Sequence, residues 1–393
     1  MGGRRSLLAG AVMLMALAPA GVSDAGDEQA PQTCTWSIGI MGALEGDFAR
    51  YGTPMANAIR LAVDGANREG DLACELVVHA ENTSGDPNRA PRKAQLLTDD
   101  EQVVACVCGF FSGETLASGS IFSEAGLAML STGTNRVIDR QGFETWFRVL
   151  AADPVQARAG AHYIFDKAGA KTVSVVHDNQ DYSKFLAERV ADTAGKRLRG
   201  KYVINPEETD YSAVVEQIAQ RRPDAVYYGG YWPQAGALLR QLRDRGVGSL
   251  FVVPDGSKTQ EIGRALRHPD SPARMKATCP CSDAREIDSA SDFVTDYEAT
   301  YGKPPRGYAA DAFDAANIAI DALGELTGSE STDDARAQVV AYLDAAEGFE
   351  GTVKDYRWNE RGELEARADH TFVWKWLGER GRWEYVGRVS ELI

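Results

Sequence analysis

The sequence predicts two α/β lobes, each built on a doubly wound parallel sheet, joined by more than one crossing of the chain. Three observations carry this. From Trp36 onward, short β-rich runs alternate with helical patterns of roughly ten to fifteen residues, the signature of βα units. The units fall into two runs of similar make-up, about 34–150 and 152–281, and 393 residues is long enough for two or three domains. After the second run come a helix-rich stretch at 291–346 and two β-like segments near 372–376 and 383–389, so the chain ends by returning strands to an earlier body.

Taken in order, the strands of the first run are expected at 36–40, 75–79, 103–107 and 128–130. Those of the second are expected at 172–176, 202–204, 225–228 and 250–253. Their apolar residues are continuous rather than alternating, as strands covered on both faces require. One unit shows the logic. After Ala225-Val226-Tyr227-Tyr228, a Gly229-Gly230 turn leads to Pro233 near a helix start, Leu238, Leu239 and Leu242 form the apolar stripe, and Gly246 ends the helix. No low-complexity linker separates the runs and no repeat of fixed period is present.

The first 25 residues read as an export signal. Arg4 and Arg5 precede an apolar run at 7–17, and small residues suited to cleavage follow at Ala18-Pro19-Ala20 and Ser23-Asp24-Ala25. The apolar run is shorter than the ~20 residues needed to span a bilayer. The paired arginines admit twin-arginine export as well as the general route, and no cysteine stands where a lipid anchor would attach. Export favours disulfides for the six cysteines. Cys34 and Cys74 stand at the starts of two strands expected to be parallel neighbours, which would place them at one sheet end. Cys106-Val-Cys108 and Cys279-Pro-Cys281 are left without an assigned pairing. Zinc is the rival reading, but its usual C-x-x-C spacing and clustered histidines are missing.

With 42 Lys+Arg against 57 Asp+Glu the formal charge is −15, and no basic run interleaved with aromatics is present, which argues against nucleic-acid binding. The turn after the first strand, Met41-Gly42-Ala43-Leu44-Glu45-Gly46, lacks G-x-G-x-x-G, and there is no G-x-x-x-x-G-K-[ST], G-x-S-x-G or H-E-x-x-H. Open parallel sheets bind ligands beyond the C-terminal ends of their strands. There the first run offers Gly109-Phe110-Phe111-Ser112-Gly113-Glu114-Thr115 and Ser131-Thr132-Gly133-Thr134-Asn135, hydroxyls and backbone N–H groups suited to a carboxylate. The second run offers His177-Asp178 with Tyr182, then Tyr231, then Pro254-Asp255-Gly256. An acid and aromatic rings opposite a hydroxyl and N–H cluster suit a ligand carrying both an ammonium and a carboxylate. His177-Asp178 reads as the polar end of a strand, and Glu45 as solvated.

In their order and spacing, several of these segments resemble the leucine/isoleucine/valine-binding proteins, type I periplasmic solute-binding proteins of bacterial ABC importers. They are Tyr51-Gly52, residues 112–115 and 131–135, Val176-His177-Asp178 with Tyr182, and Val226-Tyr227-Tyr228-Gly229-Gly230-Tyr231 with Pro254-Asp255-Gly256. The resemblance covers essentially the whole mature chain. It implies the type I periplasmic-binding fold, two lobes joined by a three-crossing hinge with the ligand closed between them. Lobe 1 is expected at 34–151 plus 282–355 and lobe 2 at 152–281 plus 356–393. Carried over by position, it makes Ser112 and Thr134 the holders of an α-carboxylate, the Gly133 carbonyl an acceptor from the ammonium, and Asp255 the acid that pairs with it. Tyr182 and Tyr231 become aromatics of the second lobe, and Tyr51, Phe110, Phe111 and Tyr308 lie near the ligand side chain.

Three departures bear on specificity. Asp255 is one methylene shorter than the family's usual Glu, the loop near Thr134 is one residue shorter, and the cysteine pair expected near Gly85 and Phe111 is absent. The resemblance thus implies an exported protein of the periplasm or cell-surface space. It would be monomeric, without catalysis, cofactor or metal, and would pass a free amino acid, branched-chain or otherwise apolar, to a membrane permease. Two alternatives stay open: another small amide or carboxylate such as urea or an aromatic acid in the same fold, and a ligand sensor docking on a receptor.

Overall fold

A computed structural model describes residues 34–266, 274–365, 370–378 and 381–392. The export signal expected at 1–25 lies outside them. Two sheets organise the chain. The first contains β1 (Thr35–Gly42), β2 (Glu75–Asn82), β3 (Val103–Cys108), β4 (Ala128–Ser131) and β5 (Trp146–Arg148), all parallel in the order β2-β1-β3-β4-β5. Between them run α1 (Ala49–Glu69), α2 (Ala90–Thr98) and α3 (Ser112–Glu124). Alternate side chains of β3 serve opposite faces: Ala105 and Val107 pack with Met55 and Ile59 of α1, whereas Cys106 and Cys108 pack with Leu97 of α2 and Phe122 of α3.

The second body follows as α4 (Asp153–His162), β6 (Val173–His177), α5 (Asp181–Ala194), β7 (Leu198–Val203), α6 (Ser212–Arg221), β8 (Ala225–Tyr228), α7 (Trp232–Asp244), β9 (Leu250–Val253), α8 (Ile262–Leu266) and β10 (Met275–Cys279). Three helices then return to the first body, α9 (Ser291–Tyr301), α10 (Ala309–Leu323) and α11 (Thr332–Ala345), with a small hairpin of β11 (Phe349–Glu350) and β12 (Asp355–Tyr356). Finally β13 (Phe372–Leu377) and β14 (Arg382–Arg388) add two antiparallel strands to the second sheet, whose order is β14-β13-β10-β9-β8-β6-β7, before α12 (Val389–Leu392). The chain passes between the two cores three times, at 150–153, at 279–284 and between Leu364 and Phe372.

Most expected strands match to within two residues. Three differences have physical reasons. The strands β2 and β7 are not covered on both faces: each is an edge strand, and Val77 and Val203 are exposed. β5 is only three residues long and ends in an arginine, and β10 is interrupted by Lys276 opposite Lys375, so neither reads as an apolar run. Residues 356–365, expected in the second lobe, pack on the first instead. Tyr356 and Leu364 lie in its core with Trp358 against it, and the buried Arg148 binds Glu363 at 2.9 Å. The Arg148–Glu363 pair holds this segment on the first body, so the second core is rejoined after Leu364.

All six cysteines are paired at disulfide distance. Cys34 and Cys74 meet as expected, since the parallel register puts Thr35 beside Glu75. The four left unassigned pair within their own motifs, Cys106 with Cys108 and Cys279 with Cys281. Gly229 is required where it stands, because a Cβ there would lie 2.3 Å from the Ser183 carbonyl oxygen as α5 passes the end of β8.

Candidate functional site

The strand ends of both sheets open on a cleft between the bodies. The first body contributes Tyr51 on α1, Ser112 as the first residue of α3, the 131–135 turn after β4, and Tyr308 just before α10. The second contributes Tyr182 at the start of α5, Tyr231 just before α7, and Asp255 and Gly256 after β9. The expected set is therefore brought together, with one exception. The Phe110 ring is buried in the first core against Gly42, where a Cβ would collide with it, so it faces inward.

At one end of the cleft, hydroxyls hold two loops together. The Ser112 hydroxyl oxygen accepts from the backbone N–H groups of Thr134 at 3.1 Å and Asn135 at 3.0 Å. The Ser131 hydroxyl accepts from Gly133 N–H at 3.0 Å and donates to the Gly109 carbonyl at 3.0 Å. Ser112 keeps its own proton to donate, and the first turn of α3 presents unpaired N–H groups in the manner of any helix start. Behind this loop the Arg148 guanidinium donates to the Gly133 and Asn135 carbonyls, lies over the Trp146 ring at 4.8 Å and pairs with both oxygens of Glu363. The Gly133 carbonyl, expected to accept from a ligand, already has this donor. Beneath α3, burial pushes the Glu114 carboxyl up to about 7 although Thr83 and the Phe111 N–H donate to it.

At the other end Asp255 is the hub. Its Oδ1 accepts from Gln156 Nε2 and from the Tyr182 hydroxyl, both at 2.6 Å, and its Oδ2 accepts from the Tyr308 hydroxyl. Because Tyr308 belongs to the first body and Asp255 to the second, this bond crosses the cleft. A second crossing is made by the Tyr51 hydroxyl, which donates to the Gly256 carbonyl at 3.4 Å. Burial holds the Tyr51, Tyr182, Tyr231 and Tyr308 hydroxyls well above their ordinary range, so they act as donors. The Tyr182 and Tyr231 rings lie 5.2 Å apart, and a Cβ on Gly256 would press on both. On the first-body wall Phe111 sits between Phe48 and Tyr51. Further out, arginines of the first body reach the second: Arg50 pairs with Glu261 at 3.5 Å and lies over Trp232, Arg136 lies over Phe185, and Arg306 donates to Gln260 at 3.3 Å.

Two site residues were missed from the sequence. Asp153, the first residue of α4, is 1% exposed and sits at a crossing between the bodies; its N–H donates to the Thr134 carbonyl at 2.8 Å. Burial first, and the Asp255 charge second, push its carboxyl up to about 7, against the easing effect of Thr134 and Arg148. Gln156, one turn on, bridges Asp255 to the Thr278 carbonyl. An Asp-Pro pair opening a helix reads as a cap, and only the idea that a hinge crossing borders the cleft would have marked Asp153.

Other sequence motifs take structural places. Asp178 accepts from the Tyr228 hydroxyl at 2.9 Å, and exposed Glu45 accepts from Asn82. Among the described residues no group of His, Cys, Asp or Glu is placed to hold a metal ion, and no helix is long and apolar enough to cross a membrane. A hollow of about 1030 Å³ at the opposite, N-terminal strand edge of the second sheet, around Asp224, Arg245 and Arg274, is remote from these residues.

Two α/β bodies, three crossings and a tyrosine-walled cleft bonded from both sides define a clamshell binding protein. A family model described as periplasmic binding protein matches residues 35–372, and the chain belongs to that family. It is similar to the leucine-specific-binding protein of Salmonella typhimurium, 26% identical over 346 residues that cover 86% of this chain and 90% of the relative. The leucine-, isoleucine-, valine-, threonine-, and alanine-binding protein of Pseudomonas aeruginosa is 26% identical over 358 residues, 89% of this chain and 92% of that one. In fold it is similar to the branched-chain amino acid transporter substrate-binding protein LivJ of Streptococcus pneumoniae in complex with isoleucine. The TM-score there is 0.76 at 22% identity, over 90% of this chain and 99% of the other.

Proposed function

We propose that the protein is an exported solute-binding protein of an ABC importer that closes on a free amino acid and delivers it to a membrane permease, acting as a monomer and without catalysis. One observation carries the reading: the cleft has a hydroxyl and N–H end at Ser112 and Thr134, an acidic end at Asp255, and tyrosines between them. That polarity suits a zwitterion held lengthwise. The names of the relatives support an amino acid, and the segment at 1–25 supports export. In this reading Ser112 and Thr134 hold the carboxylate, and Tyr51, Phe111, Tyr231 and Tyr308 surround the side chain. The lobes that move are 34–151 with 282–365, and 152–281 with the chain after 370.

Calorimetric titration with the twenty common L-amino acids tests the reading, alongside mass spectrometry of any small molecule that co-purifies. Binding of at least one amino acid is expected; binding of none sinks the reading. A ligand without an amine, such as an aromatic acid or an amide, is the second reading. It is favoured by the three donors that Asp255 already takes from the protein, and benzoate and urea in the same titration separate the two.

A further inference from the structure

We infer that the hollow at the N-terminal strand edge of the second sheet is a binding site for a phosphoryl group. It encloses about 1030 Å³, at the opposite end of the strands from the tyrosine-walled cleft, among the turns that lead into β6, β8, β9 and β10. Its charge runs against that of the molecule. The chain carries a formal −15, yet the hollow is lined by Lys171, Arg222, Arg245 and Arg274 against two acids, Glu216 and Asp224. Both acids are already engaged within the fold. Glu216 pairs with Arg245 at 2.7 Å, and Asp224 accepts from the Lys171 N–H, the Thr172 N–H and the Thr172 hydroxyl, each at 2.9 Å. The side chains of Lys171 and Arg222 hydrogen-bond to nothing among the described residues, and Arg274 uses a single N–H, on the Gly248 carbonyl at 3.0 Å.

The turn before β9 is built to match. Its carbonyls are all taken by guanidinium groups: Arg243 donates to Val247 and Ser249, and Arg274 donates to Gly248. The Ser249 hydroxyl donates to the Pro223 carbonyl and so ties this turn to the one before β8. The Gly248 and Ser249 N–H groups have no acceptor within the chain. A fixed turn whose acceptors are spent and whose donors are open suits an anion. Arg222 and Arg245 follow the last residues of α6 and α7, where helix carbonyls draw cations. Lys171 and Arg274 instead lead into strands, so helix ends do not account for the set. Arg222 also holds a left-handed backbone, φ 48°, at a place glycine usually takes, and an exposed side chain is kept there against that preference. Four cations against two acids leave an excess of positive charge that a phosphoryl dianion balances. Guanidinium forks match its several oxygens. The group can arrive on a soluble phosphate or on a lipid headgroup.

The test titrates the parent at low salt with inorganic phosphate, pyrophosphate and malonate by calorimetry, and sediments it with vesicles of phosphatidylglycerol or of phosphatidylcholine. Two triple variants accompany it. Lys171→Gln with Arg222→Gln and Arg274→Gln strips the hollow. Lys196→Gln with Arg199→Gln and Lys201→Gln removes the same charge from exposed positions at and just before the edge strand β7. The parent should bind a phosphate more tightly than malonate, or sediment with phosphatidylglycerol and not with phosphatidylcholine; the first result identifies a soluble source and the second a headgroup. The hollow variant should lose about 10-fold or more of that affinity, and the β7 variant should stay within about threefold of the parent. Amide resonances of Gly248 and Ser249 in the parent should move as the bound probe is added, a readout that stands even if the hollow variant does not fold. Binding of none of these probes, malonate held as tightly as phosphate, an equal loss in both variants, or resonance shifts confined to residues 112 and 133–135 overturns the inference.

Discussion

Arg148 is the residue whose removal should be felt most widely. It is fully buried, and its guanidinium pairs with both oxygens of Glu363 and donates to the Gly133 and Asn135 carbonyls while lying over Trp146. Arg148→Met keeps the stem and its packing but strands one partly buried carboxylate and two carbonyls. Breaking a buried pair from one side costs about 3–5 kcal/mol. With a urea slope of about 3 kcal/mol per molar, the unfolding midpoint should fall by roughly 1 to 1.7 M, read by circular dichroism. The companion variant, Arg148→Met with Glu363→Leu, should regain part of this loss. Burial, the largest cause, holds the Glu363 carboxyl above its ordinary range in spite of Arg148, and a buried pair of this kind is commonly replaceable by apolar groups. Ligand affinity should stay reduced even in the double variant, since the loop carrying Thr134 has lost its backing either way. A single variant within about 1 kcal/mol of the parent would refute the reasoning, as would a double variant no more stable than the single.

Tyr308→Phe removes a cross-cleft hydroxyl bond to a carboxylate, worth about 1.5–3 kcal/mol, and calorimetry should show ligand binding weakened by roughly 10-fold or more. Small-angle scattering should give a smaller radius of gyration with bound ligand than without, and an unchanged radius at saturation counts against lobe closure. Thiol counting on the unfolded, unreduced protein should find no free thiol, and replacing Cys34 and Cys74 together with serine should cost about 2–4 kcal/mol in urea unfolding. The folded Glu114 carboxyl is raised from its ordinary value to about 7, so its contribution to stability is complete below the unfolded value and is lost as pH rises toward and through 7. Stability measured from pH 4 to 8 should therefore fall less steeply in Glu114→Gln.

The sheets were legible wherever the strands are covered on both faces: Ala225–Tyr228 and Leu250–Val253 are found as read, because nothing but apolar burial shapes them. Legibility failed where one charged side chain serves a distant partner. Arg148 ends β5, and its meaning depends on Glu363, 215 residues later. The same pair fixes residues 356–365 to the first body, which no local pattern could report. In the site, Asp255 with Tyr182, Tyr231, Tyr51 and Tyr308 was legible through family spacing, as were Ser112 and Thr134. Asp153 was not, since an acid before a proline at a helix start has a sufficient local explanation. The Thr134 carbonyl that its N–H bonds, and the Asp255 charge that acts on its carboxyl, are brought to it only by the folded chain. Phe110 and Phe111 could not be told apart from the sequence: the first is buried in the first core against Gly42, while the second lies against Phe48 and Tyr51, and the backbone direction that separates them is not written in the residues.

The arginines at the rim of the cleft bear on how long the cleft stays shut. Arg50, Arg136 and Arg306 all extend from the first body to acids, amides or rings of the second, and none of the three touches the Asp255 hub. Their contacts join the two bodies, so on the proposed reading weakening them should quicken reopening while leaving the tyrosine-walled interior in place. Discrimination and dwell time would then rest on different residues. In a carrier that must hold its cargo long enough to meet a membrane partner, the rim can be tuned for that interval while the interior keeps its selectivity.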